Sequence, residues 1–292
     1  MTRQIKNIIA ITAFLICIGL INFAGQNIDI QIRGINAFTF ILIVAVLLQI
    51  IFFIPSFLLK TEKYYDLVGS LTYVTTVSLA YFAVENKTMI DSIIYFYVMV
   101  WASRLGIYLF RRVRNDGKDV RFEKAKRHFF WFLQYWMGQA LWVTLTACAA
   151  IIAILSPEDD TLPVLAIFGM ALWLSGFTIE SISDYQKRVF RKENNPSESF
   201  IHTGLWARSR HPNYFGEITL WTGIAVIALN TLTGIEYITL ISPVFVYILL
   251  TRMSGVNLLE RIADERYGHL EEYQQYKRNT PVLVPKLSKD KI

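Results

Sequence analysis

Apolar side chains fill long, uninterrupted stretches of this 292-residue chain, without the alternation of polar and apolar positions that strands would show. Eight stretches approach the roughly 20 residues that a helix needs to cross the core of a bilayer. They cover residues 7–24, 37–59, 66–83, 92–110, 130–155, 162–183, 213–230 and 237–255. A spanning barrel would require alternating strands. The pattern therefore predicts an all-α, polytopic integral membrane protein with about eight transmembrane helices.

Composition agrees with a membrane protein and gives it an orientation. Charged residues make up 18% of the chain, below the roughly one quarter typical of soluble domains, and the mean hydropathy is +0.38. The net charge is +6, but the Lys and Arg residues gather in residues 111–128, in 184–211 and in the C-terminal tail, whereas the connection 156–160 is acidic. This positive-inside distribution predicts that both termini lie in the cytoplasm. It does not favour a nucleic-acid partner.

The two ends of the chain carry separate expectations. The first apolar stretch follows Arg3 and Lys6, as in a signal peptide, but no convincing small-residue cleavage site follows it. We therefore interpret residues 1–36 as an additional N-terminal transmembrane helix and loop, and residues 37–292 as the transmembrane catalytic domain. Apolar positions in 258–278 predict an amphipathic helix on the membrane surface.

Polar side chains recur at helical spacing near the predicted cytoplasmic ends of four spans, where a charge is costly unless it faces a cavity or a partner. These stripes are Asp66, Ser70 and Tyr73; Arg104, Tyr108 and Arg111; Glu180, Asp184, Arg188 and Arg191; and Arg210, His211, Asn213, Tyr214 and Glu217. Individually, several have ordinary explanations, such as arginines reaching headgroups, a helix N-cap at Asp66 or an interfacial aromatic at Tyr108. Together they predict a basic funnel for a ligand with phosphates, which arginines bind through planar hydrogen bonds. Pro212 suits the first turn of a helix, whose free N–H groups would add to such a site.

Familiar cofactor and metal motifs are missing from the sequence. It contains no GxGxxG or Walker loop, its four histidines are not closely spaced, and both cysteines lie in apolar stretches. We therefore expect no metal site. A nucleotide would be held by side chains of a helical bundle instead of a Rossmann unit.

Two segments carry a resemblance to a known family. "DYQKRVFR" (184–191) and "GLWARSRHPNYFGE" (204–217) resemble the steroid 5α-reductase superfamily, and most of all its bacterial group of uncharacterised multi-span proteins, DUF1295. Sterol reductases of the C14 and C7 type share the R-H-P-N-Y core. The resemblance covers roughly residues 60–287. It implies an NADPH-dependent reductase of a carbon–carbon double bond in a lipid-like substrate, with the adenosine and phosphates of the cofactor facing the cytosol.

The resemblance also implies which residues contact the cofactor. They are Arg104 and Tyr108; Asp184, Arg188 and Arg191; and Asn213, Tyr214 and Glu217, with His211 matching the sterol-reductase form. The pattern departs where 5α-reductases polarise the enone carbonyl. Asp66-Leu67 stands in place of a Gln-Glu pair, and Trp101 stands in place of a Tyr. A 3-oxo-steroid substrate therefore does not follow.

Reduction of an activated double bond requires a hydride and an acid. Asp66 is our preferred proton donor, because an aspartic acid surrounded by apolar groups tends to retain its proton. Tyr64, Tyr65 and Tyr73 are phenol alternatives, of which Tyr73 shares the helical face of Asp66.

Two other classes of function remain open. The R-H-P-x-Y core and the tail 258–285, with its Glu260, also resemble isoprenylcysteine and phospholipid methyltransferases that use S-adenosylmethionine. That cofactor has no phosphate and does not account for the arginines of 184–191. A transporter or sterol receptor would carry polar groups at the midplane and on both faces.

As partners we expect a lipid-like small molecule and membrane lipids, with no obligate protein partner. The expected location is a bacterial cytoplasmic membrane with the cofactor site facing the cytosol, or the endoplasmic reticulum in a eukaryote.

Overall fold

The computed structural model describes residues 1–116, 122–156, 162–195, 198–253 and 255–286, with the helix but not the side chains of 112–116. Residues 157–160 of the acidic connection and the end of the tail, 287–292, lie outside the described residues. In this part of the chain, regular structure is helical apart from one short hairpin, β1 (Gln31–Ile32) and β2 (Ile35–Asn36). The helices are α1 (Arg3–Ile21), α2 (Ala37–Leu58), α3 (Tyr65–Ala83), α4 (Met89–Asp116), α5 (Phe129–Leu155), α6 (Val164–Glu193), α7 (Pro212–Ala228), α8 (Ile241–Ile248), α9 (Val256–Tyr267) and α10 (Glu271–Asn279).

Six segments of the described chain are long and apolar enough to cross a membrane. They are Arg3–Gly25, Ala37–Leu58, Met89–Arg111, Phe129–Leu155, Val164–Glu193 and Gly234–Tyr267. The expectation of an all-α, polytopic membrane protein is therefore confirmed. α3 and α7 form where the third and seventh spans were predicted, but they are not among the six. Ser and Thr side chains lower the hydropathy of α3, and α7 has only 17 residues. The count of eight spans and the cytoplasmic placement of the termini stay predictions.

By their internal contacts the residues form two units, of which the first comprises Met1–Ala166 and Ile227–Ser242. α5 is its centre. Its side chains are buried along most of its length, and it packs against α1, α2 and α3. Aromatic rings from α2, α3 and α5, including Phe53, Tyr65 and Trp136, fill the space between these helices.

The second unit comprises Ile167–Val226 and Pro243–Ile292. It contains most of α6 and α7, and the tail helices α9 and α10. The single amphipathic helix predicted for 258–278 is instead two helices, because α9 ends where the N–H of Gly268 bonds to the carbonyl of Asp264 (2.9 Å) and Leu270 adopts an extended conformation. The expected boundary at residue 37 is not tested by this division and stays a prediction.

Candidate functional site

Glycines bring the backbones of α6 and α7 into direct contact. A Cβ atom at Gly216 would lie 2.6 Å from the backbone N of Glu180 and 2.6 Å from the carbonyl O of Gly176. A Cβ at Gly223 would lie equally close to the carbonyl O of Gly169. Small residues at such crossings allow helices in membranes to approach closely. The C-terminal half of α6 therefore lies alongside the first turns of α7, and the two predicted stripes of these helices come together.

One hydrogen bond joins those two stripes. The amide Nδ2 of Asn213 donates to Oδ1 of Asp184 at 3.3 Å. Asp184 is 7% exposed, and Glu180, one turn before it, is 3% exposed. Arg188 and Arg191, further along α6, have exposed side chains. The stripe of α6 thus changes from buried carboxylates to exposed guanidinium groups.

The loop between α6 and α7 is held from two sides. Trp206 donates its indole N–H to the carbonyl of Ser183 on α6 (3.1 Å), and its own carbonyl accepts a hydrogen bond from the Tyr276 hydroxyl of α10 (2.7 Å). Gly204 begins this turn at φ +62°, a left-handed conformation that suits glycine. The side chain of Gln186 lies where a Cβ of Gly204 would be, and it accepts a hydrogen bond from the N–H of Leu205 at 3.0 Å. The loop is therefore fixed before it delivers Arg210 and His211.

Glu260 of α9 binds both of those residues. Its carboxylate lies 3.0 Å from Nη1 of Arg210 and 2.8 Å from Nε2 of His211. The ring of His211 also stacks on Tyr214, with centroids 5.5 Å apart. Two buried atoms of this group, Nε of Arg210 and Nδ1 of His211, have no hydrogen-bond partner within the described structure. Buried polar atoms are rarely left unpaired, so these two atoms are available to a ligand.

Burial sets the protonation of two groups here. It lowers the pKa of His211 below its ordinary value of 6.5, and the hydrogen bond to Glu260 only partly opposes this effect. We therefore assign a neutral ring that donates from Nε2 to Glu260 and keeps Nδ1 as an acceptor. Burial also raises the pKa of Tyr276, which remains a phenol and a donor.

A cavity of about 180 Å³ opens beside this group, entirely within the second unit. Four cationic side chains line it, together with one carboxylate and a wall of aromatic rings. The cations are Lys187, Arg191, Arg210 and Arg266, the carboxylate is Glu260, and the aromatic and imidazole rings are Phe190, Phe200, Trp206, His211, Tyr267, Tyr273 and Tyr276. Of the predicted site residues, Arg191, Arg210 and His211 thus share one cavity.

The predicted residues of α3 and α4 belong to the first unit. Asp66 lies in the first turn of α3 and is half-buried, and the N-cap is Tyr64, so the N-cap alternative for Asp66 is wrong. Tyr73 is 4% exposed and packs edge-to-face on Trp101, with centroids 5.1 Å apart.

On α4, Arg104 and Tyr108 are half-buried and Arg111 is exposed. The Ser70 hydroxyl of α3 donates to the carbonyl of Ala102 of α4 at 2.5 Å. The two stripes of this unit therefore lie on helices that touch.

Several cavity residues were not predicted as site residues. Lys187 lies within the segment 184–191, yet its side chain is off the stripe of Asp184, Arg188 and Arg191. From sequence, Glu260 is connected only with the methyltransferase alternative. Arg266 and Tyr276 read as parts of an amphipathic surface helix. The concentration of tyrosines and cations in the tail was the only sequence feature that could have indicated a binding site there. No sequence spacing, however, relates the tail to Arg210.

Across the residues the structure covers, no three His, Cys, Asp or Glu side chains converge as metal ligands would.

Fold and site together define an all-helical integral membrane protein with a cation-lined aromatic cavity in one of its units. The sequence profile of the family described as "Protein of unknown function (DUF1295)" matches residues 52–280, and the chain belongs to this family.

Curated relatives match a shorter part of the chain. The 3-oxo-5-alpha-steroid 4-dehydrogenase 1 of Mus musculus is 30% identical over 117 residues, which is 40% of this chain and 40% of the relative. The enzyme of the same name from Rattus norvegicus is also 30% identical over 117 residues, with the same coverage of both chains. The Homo sapiens protein is 25% identical over 119 residues, which is 41% of this chain and 40% of the relative. The chain therefore spans about 40% of the length of the curated relatives that it matches. No solved structure matches it.

Proposed function

We propose that this protein is an NADPH-dependent membrane reductase that saturates a carbon–carbon double bond in a steroid, an isoprenoid or another lipid-like substrate. The observation that carries the proposal is the cavity of the second unit, where unpaired atoms of Arg210 and His211 meet an excess of cations. The name of the curated relatives, 3-oxo-5-alpha-steroid 4-dehydrogenase 1, supports an oxidoreductase.

The charges of the cavity suit a phosphorylated ligand. The cavity is lined by four cationic side chains and one carboxylate, Glu260, which binds Arg210 at 3.0 Å. Guanidinium groups bind phosphate through paired hydrogen bonds. The volume of about 180 Å³ is below the roughly 300 Å³ of small ligand sites, so it suits one end of a dinucleotide. We assign the phosphorylated adenosine end to it.

Aromatic rings and hydrogen-bonding atoms of the cavity suit the base and the ribose of the adenosine. Phe200, Tyr267 and Trp206 offer faces on which a base can stack. Nδ1 of His211 can accept a hydrogen bond from a ribose hydroxyl. From the sequence alone, further cofactor contacts are proposed at Asp184, Arg188, Asn213, Tyr214 and Glu217, and at Arg104, Tyr108 and Arg111.

When bound, NADPH supplies a hydride to one carbon of the double bond. The chain supplies the acid that protonates the neighbouring position, and that acid regains its proton from water. Asp66 and Tyr73 are the candidates for this role. Tyr73 is almost fully buried against Trp101, and a phenol is protonated at neutral pH.

The setting of the reaction is part of the proposal. The cavity faces the cytosol of a bacterial cytoplasmic membrane, where NADPH is available, and the substrate enters from the lipid. We propose no nucleic-acid partner and no obligate protein partner.

Binding of S-adenosylmethionine for methyl transfer is the second candidate. One observation favours it, because Glu260 of the tail that resembles methyltransferases binds Arg210 and His211 of the shared R-H-P core. The cationic sulfonium cofactor, however, gains nothing from Lys187, Arg191 and Arg266.

Thermal shift of the purified full chain with NADPH, NADH and S-adenosylmethionine separates these functions. A ligand at 100 times its Kd stabilises by about 2.7 kcal/mol, which raises the Tm by roughly 4 °C for a chain of this size. We expect NADPH to give this shift and NADH a smaller one, because NADH lacks one phosphate. A shift with S-adenosylmethionine alone would replace the reductase by the methyltransferase. Arg191→Gln should reduce the NADPH shift, whereas Lys192→Gln, an exposed neighbour outside the cavity, serves as the matched control.

A further inference from the structure

A second, larger cavity lies in the first unit at the beginning of α1 and α5. Its volume is about 580 Å³. It is lined by Thr2, Arg3, Gln4, Asn7, Arg127, His128, Phe129, Phe130 and Trp131. The segments Arg3–Gly25 and Phe129–Leu155 are both long and apolar enough to cross a membrane. A cavity where two such segments begin lies at the depth of the lipid headgroups.

Among the residues that the structure describes, the cations of this cavity have no partner of opposite charge. Neither Arg3 nor Arg127 makes a salt bridge within the described part of the chain, while the adjacent Lys126 is paired with Glu62 at 2.7 Å. The guanidinium of Arg3 lies over the ring of Trp131, 3.1 Å from its centroid. This contact orients the guanidinium without neutralising it.

Asn7 is the second, independent observation. Its side chain lines the cavity and is only 8% exposed, yet it makes no hydrogen bond with the residues that the structure describes. An amide that has no hydrogen-bond partner in the described structure is available to a ligand in the cavity.

Backbone donors face the same place. α5 begins after His128, whose side chain makes no capping hydrogen bond. The first hydrogen bond of this helix is donated by the N–H of Phe132, to the carbonyl of His128 at 2.9 Å. The N–H groups of the preceding turn are therefore available to an anion, and the helix dipole favours negative charge there.

We propose that this cavity binds the phosphate of an anionic phospholipid headgroup. Arg3 and Arg127 bind the phosphate oxygens, the side-chain amide of Asn7 and the first-turn N–H groups of α5 complete its hydrogen bonds, and Phe129 and Phe130 pack beside the glycerol and upper acyl chains. Basic pockets between transmembrane helices are suited to such headgroups. α1 lies outside the residues matched by the family, 52–280, and the site does not depend on the proposed reductase function.

Native mass spectrometry of the full chain from nanodiscs tests the site. The probes are phosphatidylglycerol and phosphatidylcholine, and a separate thermal-shift arm uses inorganic phosphate. One basic side chain near an anionic surface contributes roughly a fivefold change in affinity. The double variant Arg3→Gln/Arg127→Gln should therefore retain phosphatidylglycerol roughly 25-fold less well. The matched control Lys6→Gln/Lys63→Gln removes the same charge from exposed residues that do not line the cavity.

The two arms identify the source of the phosphate. Retention of phosphatidylglycerol over phosphatidylcholine, lost only in the site variant, supports a lipid headgroup. Stabilisation by inorganic phosphate alone, also lost only in that variant, supports the same phosphate site with a soluble ligand. Equal loss in the site variant and the control would mean general charge attraction and would overturn the proposal.

Asn7→Leu gives a readout that a purely structural amide would not give. Because the amide makes no hydrogen bond with the described residues, the Tm of lipid-free protein should not fall, while phosphatidylglycerol binding weakens severalfold. A lower lipid-free Tm with unchanged lipid binding would remove Asn7 from the site.

Discussion

Replacement of Gly216 by Ala tests the contact that brings the two stripes of the second unit together. The added Cβ would lie 2.6 Å from the backbone N of Glu180 and 2.6 Å from the carbonyl O of Gly176. Backbone atoms cannot rotate away as a flexible side chain can, so α6 and α7 must separate. Overpacking of this kind costs about 1–3 kcal/mol, and we expect the upper part of that range. For a chain of this size, about 2–3 kcal/mol corresponds to a fall in Tm of roughly 3–5 °C.

Separation of the helices should also weaken the cofactor site. The hydrogen bond from Asn213 to Asp184 is already 3.3 Å long, and an outward shift of α7 would break it. Because Asn213 and Asp184 are both proposed cofactor contacts, their displacement should make Gly216→Ala bind NADPH less well. Gly223→Ala, two turns away against the carbonyl of Gly169, should cost similar stability with a smaller effect on NADPH.

The matched control is Gly19→Ala on α1, where no atom lies within 4 Å of the added Cβ. Removal of a glycine from a helix interior stabilises by about 0.5–1 kcal/mol, so this variant should melt at the parental Tm or slightly above it. Thermal unfolding in detergent and NADPH titration measure both effects. If Gly216→Ala melts with the parent protein, the direct backbone contact between α6 and α7 is wrong.

Three further predictions concern catalysis, affinity and pH. Asp66→Asn and Tyr73→Phe should separate the candidate acids, since loss of the true donor abolishes turnover but leaves NADPH affinity intact; full turnover in both variants would refute the assignment. Arg191→Gln and Tyr214→Phe should weaken NADPH binding by roughly tenfold each, and unchanged titrations would remove both from the cofactor site. Burial lowers the pKa of His211 below 6.5, so the unfolded chain takes up a proton first as the pH falls through 6.5, and stability decreases until the lower, folded pKa is reached. His211→Gln should therefore flatten the dependence of Tm on pH below 7, and an unchanged slope would contradict the lowered pKa.

The periodicity of the stripe on α6 predicted its helical face but not the burial of its members. Asp184, Arg188 and Arg191 share a helical face, and α6 forms over all of them. Periodicity does not predict that Asp184 is buried whereas Arg188 and Arg191 are exposed. The burial of each side chain depends on its contacts with α7 and the other neighbours of α6. Lys187 points into the cavity from off the stripe, so a search for one face omitted it.

The C-terminal tail was harder to interpret. Its apolar spacing correctly indicates helix, but Gly268 divides it into α9 and α10. The tyrosines that suggested a membrane surface pack on Phe200 of the same unit. An apolar face has the same sequence pattern whether lipid or protein covers it.

By itself, the sequence determined that this chain is an integral membrane protein built from helices, because long apolar runs can satisfy their backbone in lipid only as helices. It also identified the R-H-P-N-Y segment (210–214), because the residues of this motif are consecutive in the chain and can be recognised without a structure. Only the tertiary structure decided that Glu260 binds Arg210 and His211, and that Arg3 and Arg127 share one cavity. These partners are separated by long stretches of chain, and helix packing brings them together through contacts that leave no periodic trace in the sequence.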